Sequence, residues 1–343
     1  MPDRSAWLEL TREAVLEPEL PICDCHHHLW DYPDNRYLVD EFLQDISGNV
    51  GGGHKVVSSV FVECLQFYRT EGPVELRPAG ETEFVDSVAG VYPAPAGKTN
   101  VPGGQVNVAA GIVGFADLAL GAAVQPVLEA HRAASKRFRG VRHASAWDAS
   151  EQVHNAHTKP LWNLLQTADF RQGLACVQGL GLSFDAWLFH PQIPQLTELA
   201  QAFPQLPIAL NHMAGPLGIG PYAGQREEVF NAWRRDMAEL ARCENVCVKL
   251  GGRTLTSAGF GWHKSAAPPS SAELAAAMTP YFRACIELFG AGRCMFESDF
   301  PVDKASCSYT VLWNAFKRLT AEYSASERSA LFHHTATRFY RLA

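Results

Sequence analysis

The chain has 343 residues, 47% of them apolar, an ordinary share for a globular protein. Its formal charge of −7 leaves no basic footprint, so nucleic acid is excluded as an expected partner and a small-molecule substrate is expected instead; an anionic substrate would need its own local cations. No run reaches the roughly 18 uncharged apolar residues of a membrane span, and Met1 to Trp7 lack the apolar run of a signal peptide. With nine scattered cysteines and no C-x-x-C pair, we expect reduced, structural thiols and a cytoplasmic location.

Residues 1–19 read as an N-terminal extension. From there, short apolar runs rich in β-branched residues alternate with helical patterns, which predicts a parallel sheet with crossover helices. The expected strands are Leu20 to Cys25, Val56 to Cys64, Val106 to Val113, Phe138 to Arg142, Leu182 to Phe189, Pro207 to Leu210, Val246 to Leu250 and Arg293 to Glu297. Leu174 to Val177 competes for the fifth place. Helices are expected over Ile193 to Ala202, Glu227 to Ala241, Ala272 to Phe289 and Ser326 to Tyr340. Two Gly- and Pro-bearing stretches, Tyr68 to Gly104 and Gly251 to Ser271, directly follow the second and seventh strands and read as long loops. The whole pattern predicts one (β/α)8 barrel over 1–343, with the loops on the C-terminal face where active sites of such barrels lie.

Four strand ends carry chemistry. After the first comes Asp24-Cys25-His26-His27-His28. In extended chain, residues i and i+2 share a face, so His26 and His28 converge while His27 points away; the pair can share one metal ion or present polar edges to a substrate. After the eighth comes Glu297-Ser298-Asp299-Phe300-Pro301, and barrel closure would put Asp299 beside the first strand. Read alone, Asp299 is also a candidate helix N-cap. His190 follows the fifth strand and His212 the sixth.

In these residues the chain resembles the amidohydrolase superfamily, in the branch of sugar-lactone and 2-pyrone-4,6-dicarboxylate lactonases. The resemblance runs from Pro21 to Leu342. It is carried by Ile22-Cys23-Asp24-Cys25-His26-His27-His28-Leu29-Trp30-Asp31, Val60-Phe61-Val62-Glu63-Cys64, Phe138-Arg139-Gly140-Val141-Arg142, Phe189-His190-Pro191, Leu210-Asn211-His212-Met213-Ala214-Gly215-Pro216 and Glu297-Ser298-Asp299-Phe300-Pro301. It implies that His26, His28 and Asp299 bind metal or activate water. Strand four offers Arg142 and His143 where binuclear relatives carry a carboxylated lysine, which argues against a two-metal site. One divalent ion, zinc or manganese, is expected on His26, His28, His190 and Asp299; some lactonases of this branch work without metal.

The implied reaction is hydrolysis of a cyclic ester, with Asp299 as base and His212 or the metal polarising the carbonyl. Arg142 and Lys249 are expected to hold an anionic substituent if the substrate has one, with Lys249 alternatively polarising a carbonyl; Trp30 and Trp147 are expected to floor the pocket, and Glu63 to accept from a ligand histidine. The alternatives are a metal-dependent decarboxylase of an aromatic or unsaturated acid and a non-catalytic barrel binding a lactone or sugar acid.

Overall fold

The computed structural model describes residues 4–48, 53–93 and 105–342. Eight strands pair parallel in chain order: β1 (Ile22–His27), β2 (Val56–Val62), β3 (Gln105–Gly114), β4 (Phe138–Arg142), β5 (Ser183–Ala186), β6 (Ile208–Leu210), β7 (Val246–Leu250) and β8 (Cys294–Phe296). The ring closes just past β8. There the Asp299 amide donates to the His26 carbonyl at 2.9 Å and the His28 amide to the Phe300 carbonyl at 2.8 Å. Asp24 locks this seam: its carboxylate accepts from the Ser298 amide (3.0 Å), the Ser298 hydroxyl (2.6 Å) and the Tyr309 hydroxyl (3.0 Å). The fold is the expected α/β barrel.

Two apolar layers hold it. Outside, helices bury one stripe against the strands: Arg226–Leu240 buries Val229, Trp233, Met237 and Leu240, at spacings of a helical face. Each such side chain stabilises the fold by about 1.5–3 kcal/mol. Inside, Cys23, Cys25, Val60, Val62, Val113, Ala209, Cys247 and Met295 pack with Tyr340, which the C-terminal helix Thr335–Phe339 delivers into the barrel. These cysteines are small core residues, and the nine thiols are free. Among the described residues no helix is long and apolar enough to cross a membrane.

Three expectations need correction. The stretch Tyr68–Gly104 is not one loop. It contains the crossover helix Ala79–Val88 and a strand, Gly90–Pro93, antiparallel to β3; 94–104 lie outside the described residues. Pro78 just before that helix marks its start rather than a loop. The fifth strand is only Ser183–Ala186, while Leu174 and Val177 lie on the buried face of helix Ala168–Gly179. The expected C-terminal helix is broken by a π turn, Ala330–His334, between Ala325–Ser329 and Thr335–Phe339. The N-terminal segment is strapped to helix Tyr309–Leu319, where Lys317 Nζ donates to the carbonyls of Leu16 and Glu17.

Candidate active site

The end of β1 is aimed by a bulge. Asp24 faces Ser59 and His27 faces Phe61, so three steps along β1 match two along β2. The extra residue lets Cys25 and His26 both turn inward, Cys25 to the barrel core and His26 to the mouth. His27 then points outward: its ring stacks on Phe42 at 4.3 Å and its Nε2 meets Ser59 Oγ at 3.0 Å. His28 turns in again, so the expected convergence of His26 and His28 holds, with ring centroids 4.9 Å apart.

At the mouth, three imidazoles surround one carboxylate oxygen. Asp299 Oδ1 lies 3.2 Å from His28 Nε2, 3.6 Å from His26 Nε2 and 3.8 Å from His212 Nε2. The other nitrogen of each ring is already committed. His28 Nδ1 donates to the Val62 carbonyl at 2.7 Å. His26 Nδ1 and His212 Nδ1 donate to the two oxygens of Glu297, at 2.6 and 2.7 Å, and the His212 amide adds a third bond at 2.9 Å. Glu297 therefore fixes the tautomer of two rings and leaves their Nε2 lone pairs facing Asp299. Lone pairs and a carboxylate cannot face each other without a proton or a cation between them. His26, His212 and Asp299 place their ligand atoms within 4.8 Å of one another, a donor set of nitrogen and oxygen that suits a divalent ion.

The backbone is strained to achieve this. Asp299 and His212 both sit at φ 54°, in the left-handed region that side chains disfavour, at a cost of about 1–3 kcal/mol each. Gly251 and Gly252 allow the chain after β7 to pass close by; a Cβ on Gly251 would lie 2.3 Å from Glu297 Cγ, and one on Gly252 2.6 Å from His212 Cβ.

Charge follows the same layout. Burial holds His26 well below the usual imidazole value, reinforced by Lys249 and the neighbouring histidines. Burial would also lower His212, but Glu297 and Asp299 outweigh it and raise the ring. Burial pushes Asp299 up, yet His212, His28 and Arg142 bring its carboxyl below the ordinary range.

The other expected residues divide. His190 is not in the cluster: its Nδ1 accepts from the Leu217 amide at 3.4 Å and its ring packs edge-on to Tyr222. Burial drives it down to about 4. Arg142 is at the mouth, but its Nε and Nη2 donate to Glu63 Oε1 and the Glu63 carbonyl, at 2.7 and 2.6 Å. Its Nη1 approaches His26 Nε2 at 3.2 Å. Glu63 therefore supports Arg142 rather than a ligand histidine; that task falls to Glu297. Lys249 is sealed inside the barrel, with Nζ 2.7 Å from Asp185 Oδ2 and 3.0 Å from the Cys25 carbonyl. Its side chain is fully buried. Trp30 stacks on His28 at 6.0 Å, beside the site. Trp147 is half-buried, and its amide donates to Gln192 Oε1 at 2.9 Å.

Three contributors were missed. Glu297 had a usable signal, since it stands two residues from Asp299, the spacing that singled out His26 and His28. Trp187, edge-on to His212 at 4.7 Å, directly follows β5 and lay inside the expected fifth strand, whereas His157, with Nε2 3.4 Å from Glu63 Oε2, comes from the long segment after β4 and had no signal.

Comparisons with known proteins show the family and the fold. An uncharacterised protein, y4mH, of Sinorhizobium fredii is 32% identical over 94% of this chain and 99% of its own length. An L-fucono-1,5-lactonase of Burkholderia multivorans is 27% identical over 67% of this chain and 71% of its own. A crystal structure of an amidohydrolase from Burkholderia multivorans, with bound zinc, superposes with a TM-score of 0.66 at 23% identity, covering 94% of this chain and 99% of that one. The family model described as amidohydrolase matches residues 23–342, and the chain belongs to that amidohydrolase family.

Proposed function

We propose that this protein hydrolyses a lactone, with Asp299 as the proton acceptor and one divalent ion held by His26, His28, His212 and Asp299. The observation that carries the reading is the set of Nε2 atoms at 3.2, 3.6 and 3.8 Å around Asp299 Oδ1. Charge supports it. Arg142–Glu63 and Lys249–Asp185 are internally neutral pairs. The carboxylates in contact with the ligand histidines are Glu297 and Asp299, whose two charges match one divalent ion. The zinc in the Burkholderia multivorans amidohydrolase makes zinc the first ion to test. A bound ion would supply Lewis acidity and bring the pKa of water towards about 7.

The side chains would do the rest. Asp299 takes a proton from water as the water oxygen bonds to the lactone carbonyl carbon. The ring C–O bond then breaks and Asp299 returns the proton to the departing ring oxygen, giving a hydroxy acid. Glu297 holds His26 and His212 with Nε2 forward. His212 is thus assigned to the ion rather than to the carbonyl, and His190 to packing. The lactonase relative supports ester hydrolysis as the reaction. The test is acid release from a panel of aldonolactones and dicarboxylic lactones by wild type and Asp299→Asn. The variant should lose at least about 100-fold in kcat with the barrel intact. Near-native turnover by the variant, or no lactone opened by wild type, would overturn the reading.

A further inference from the structure

We propose that the site selects uncharged, hydroxyl-bearing lactones, and that Glu63 sets this selectivity by cancelling the charge of Arg142. The inference rests on the lactone-opening reading and specifies its substrate class.

A carboxylate on the substrate would need an unpaired cation at the mouth. Lys249 is unavailable, fully buried against Asp185. Arg142 is the guanidinium next to the ligand set, and Glu63 takes both its Nε, through Oε1, and its Nη2, through the backbone carbonyl. The remaining Glu63 oxygen faces His157 Nε2 at 3.4 Å, so that imidazole also stands against a carboxylate. Glu63 stays ionised: burial works against it, but Arg142 and His157 carry its carboxyl down to about 2. Behind it lies a second buried carboxyl, Glu81, whose Oε1 accepts the amides of Cys64 and Gln66 at 3.0 and 2.8 Å. An entering carboxylate would therefore meet at this wall a guanidinium whose charge Glu63 already cancels, which offers little to offset the carboxylate's desolvation.

An uncharged polyol meets the same wall differently. Arg142 Nη1 is the guanidinium nitrogen not tied to Glu63; an ion on His26 Nε2 would release it from that lone pair to a substrate oxygen. The Trp30 indole N–H and the Tyr68 hydroxyl, on the loops after β1 and β2, are buried with no hydrogen-bond partner among the described residues. Donors without charge suit hydroxyls and a ring carbonyl.

The test uses D-galactono-1,4-lactone and D-galactaro-1,4-lactone, which differ by CH2OH against a carboxylate. Wild type should prefer the neutral ring by at least about 10-fold in kcat/KM, and Glu63→Gln should move that ratio at least about 10-fold towards the charged ring. The double variant Glu63→Met/Arg142→Met, which deletes the pair, should gain no preference for the charged ring. Wild-type preference for the charged lactone, or an unchanged ratio in folded Glu63→Gln, would overturn the proposal. If neither ring is opened, the lactone-opening reading fails separately. Calorimetric binding of the two lactones to wild type then still reads the charge rule, and tighter binding of the charged lactone would overturn it.

Discussion

Two buried ion pairs in this barrel have the same length and opposite meanings. Lys249–Asp185 and Arg142–Glu63 both close at 2.7 Å. Lys249 is the next-to-last residue of β7 and points into the barrel. Its Nζ is taken by Asp185 and the Cys25 carbonyl, while Asp185 also accepts from the Tyr340 hydroxyl and Asn211 Nδ2. Arg142 is the last residue of β4 and points into the mouth, with one nitrogen 3.2 Å from His26 Nε2. One step of strand position separates a cation sealed in the barrel from one that reaches the histidine cluster at the mouth. The sequence pattern, which reads both as candidate substrate contacts, cannot resolve that step.

The sharpest way to break the comparison is Lys249→Met. It leaves Asp185 buried without a cation, and stability should fall by about 3–5 kcal/mol, read as a lower urea midpoint, while the folded fraction keeps near-native kcat/KM. Loss of activity without loss of stability would mean that Lys249 reaches the substrate after all. Arg142→Met should behave in reverse. It should lower kcat/KM about 10- to 100-fold, chiefly through KM, with a smaller stability loss than Lys249→Met because His157 remains within 3.4 Å of Glu63.

A smaller effect sharpens the picture of the β2 wall. Burial and the neighbouring Glu63 raise Glu81 to about 8. Its folded value thus lies above its unfolded one, so its stabilising proton is fully held below about pH 4.5 and lost as pH rises towards 8. Glu81→Gln keeps the acceptor for the Cys64 and Gln66 amides but cannot ionise. Thermal melts should give the variant a Tm higher than wild type by roughly 5 °C at pH 9, a gap that closes by pH 4. A constant difference across that range would remove Glu81 as the source.

Much of this molecule was readable from local pattern. β4, β7 and helix Ile193–Ala202 fall on their expected limits, because a run buried on both faces, or a stripe at helical spacing, is written in adjacent residues. His26, His28 and Asp299 were readable for a similar reason: barrel closure makes the first and last strands neighbours, so two local motifs suffice. The failures are non-local. His190 and His212 look alike in sequence, each a histidine after an apolar strand. Only the packing of Tyr222 and Leu217 around one, and Glu297 under the other, tells them apart. The bulge in β1 depends on its register with β2, and the helix Ala79–Val88 was hidden by the prolines that frame it.

That contrast between two histidines gives the most direct test. Zinc would be titrated calorimetrically into chelator-treated wild type, His212→Ala and His190→Ala. Wild type should bind one equivalent. His190→Ala should bind it as tightly, and His212→Ala at least about 100-fold more weakly, since even residues that only orient a ligand are worth about 10–100-fold. Intact binding in His212→Ala together with loss in His190→Ala would contradict the assignment, as would full activity in a wild-type protein that binds no metal.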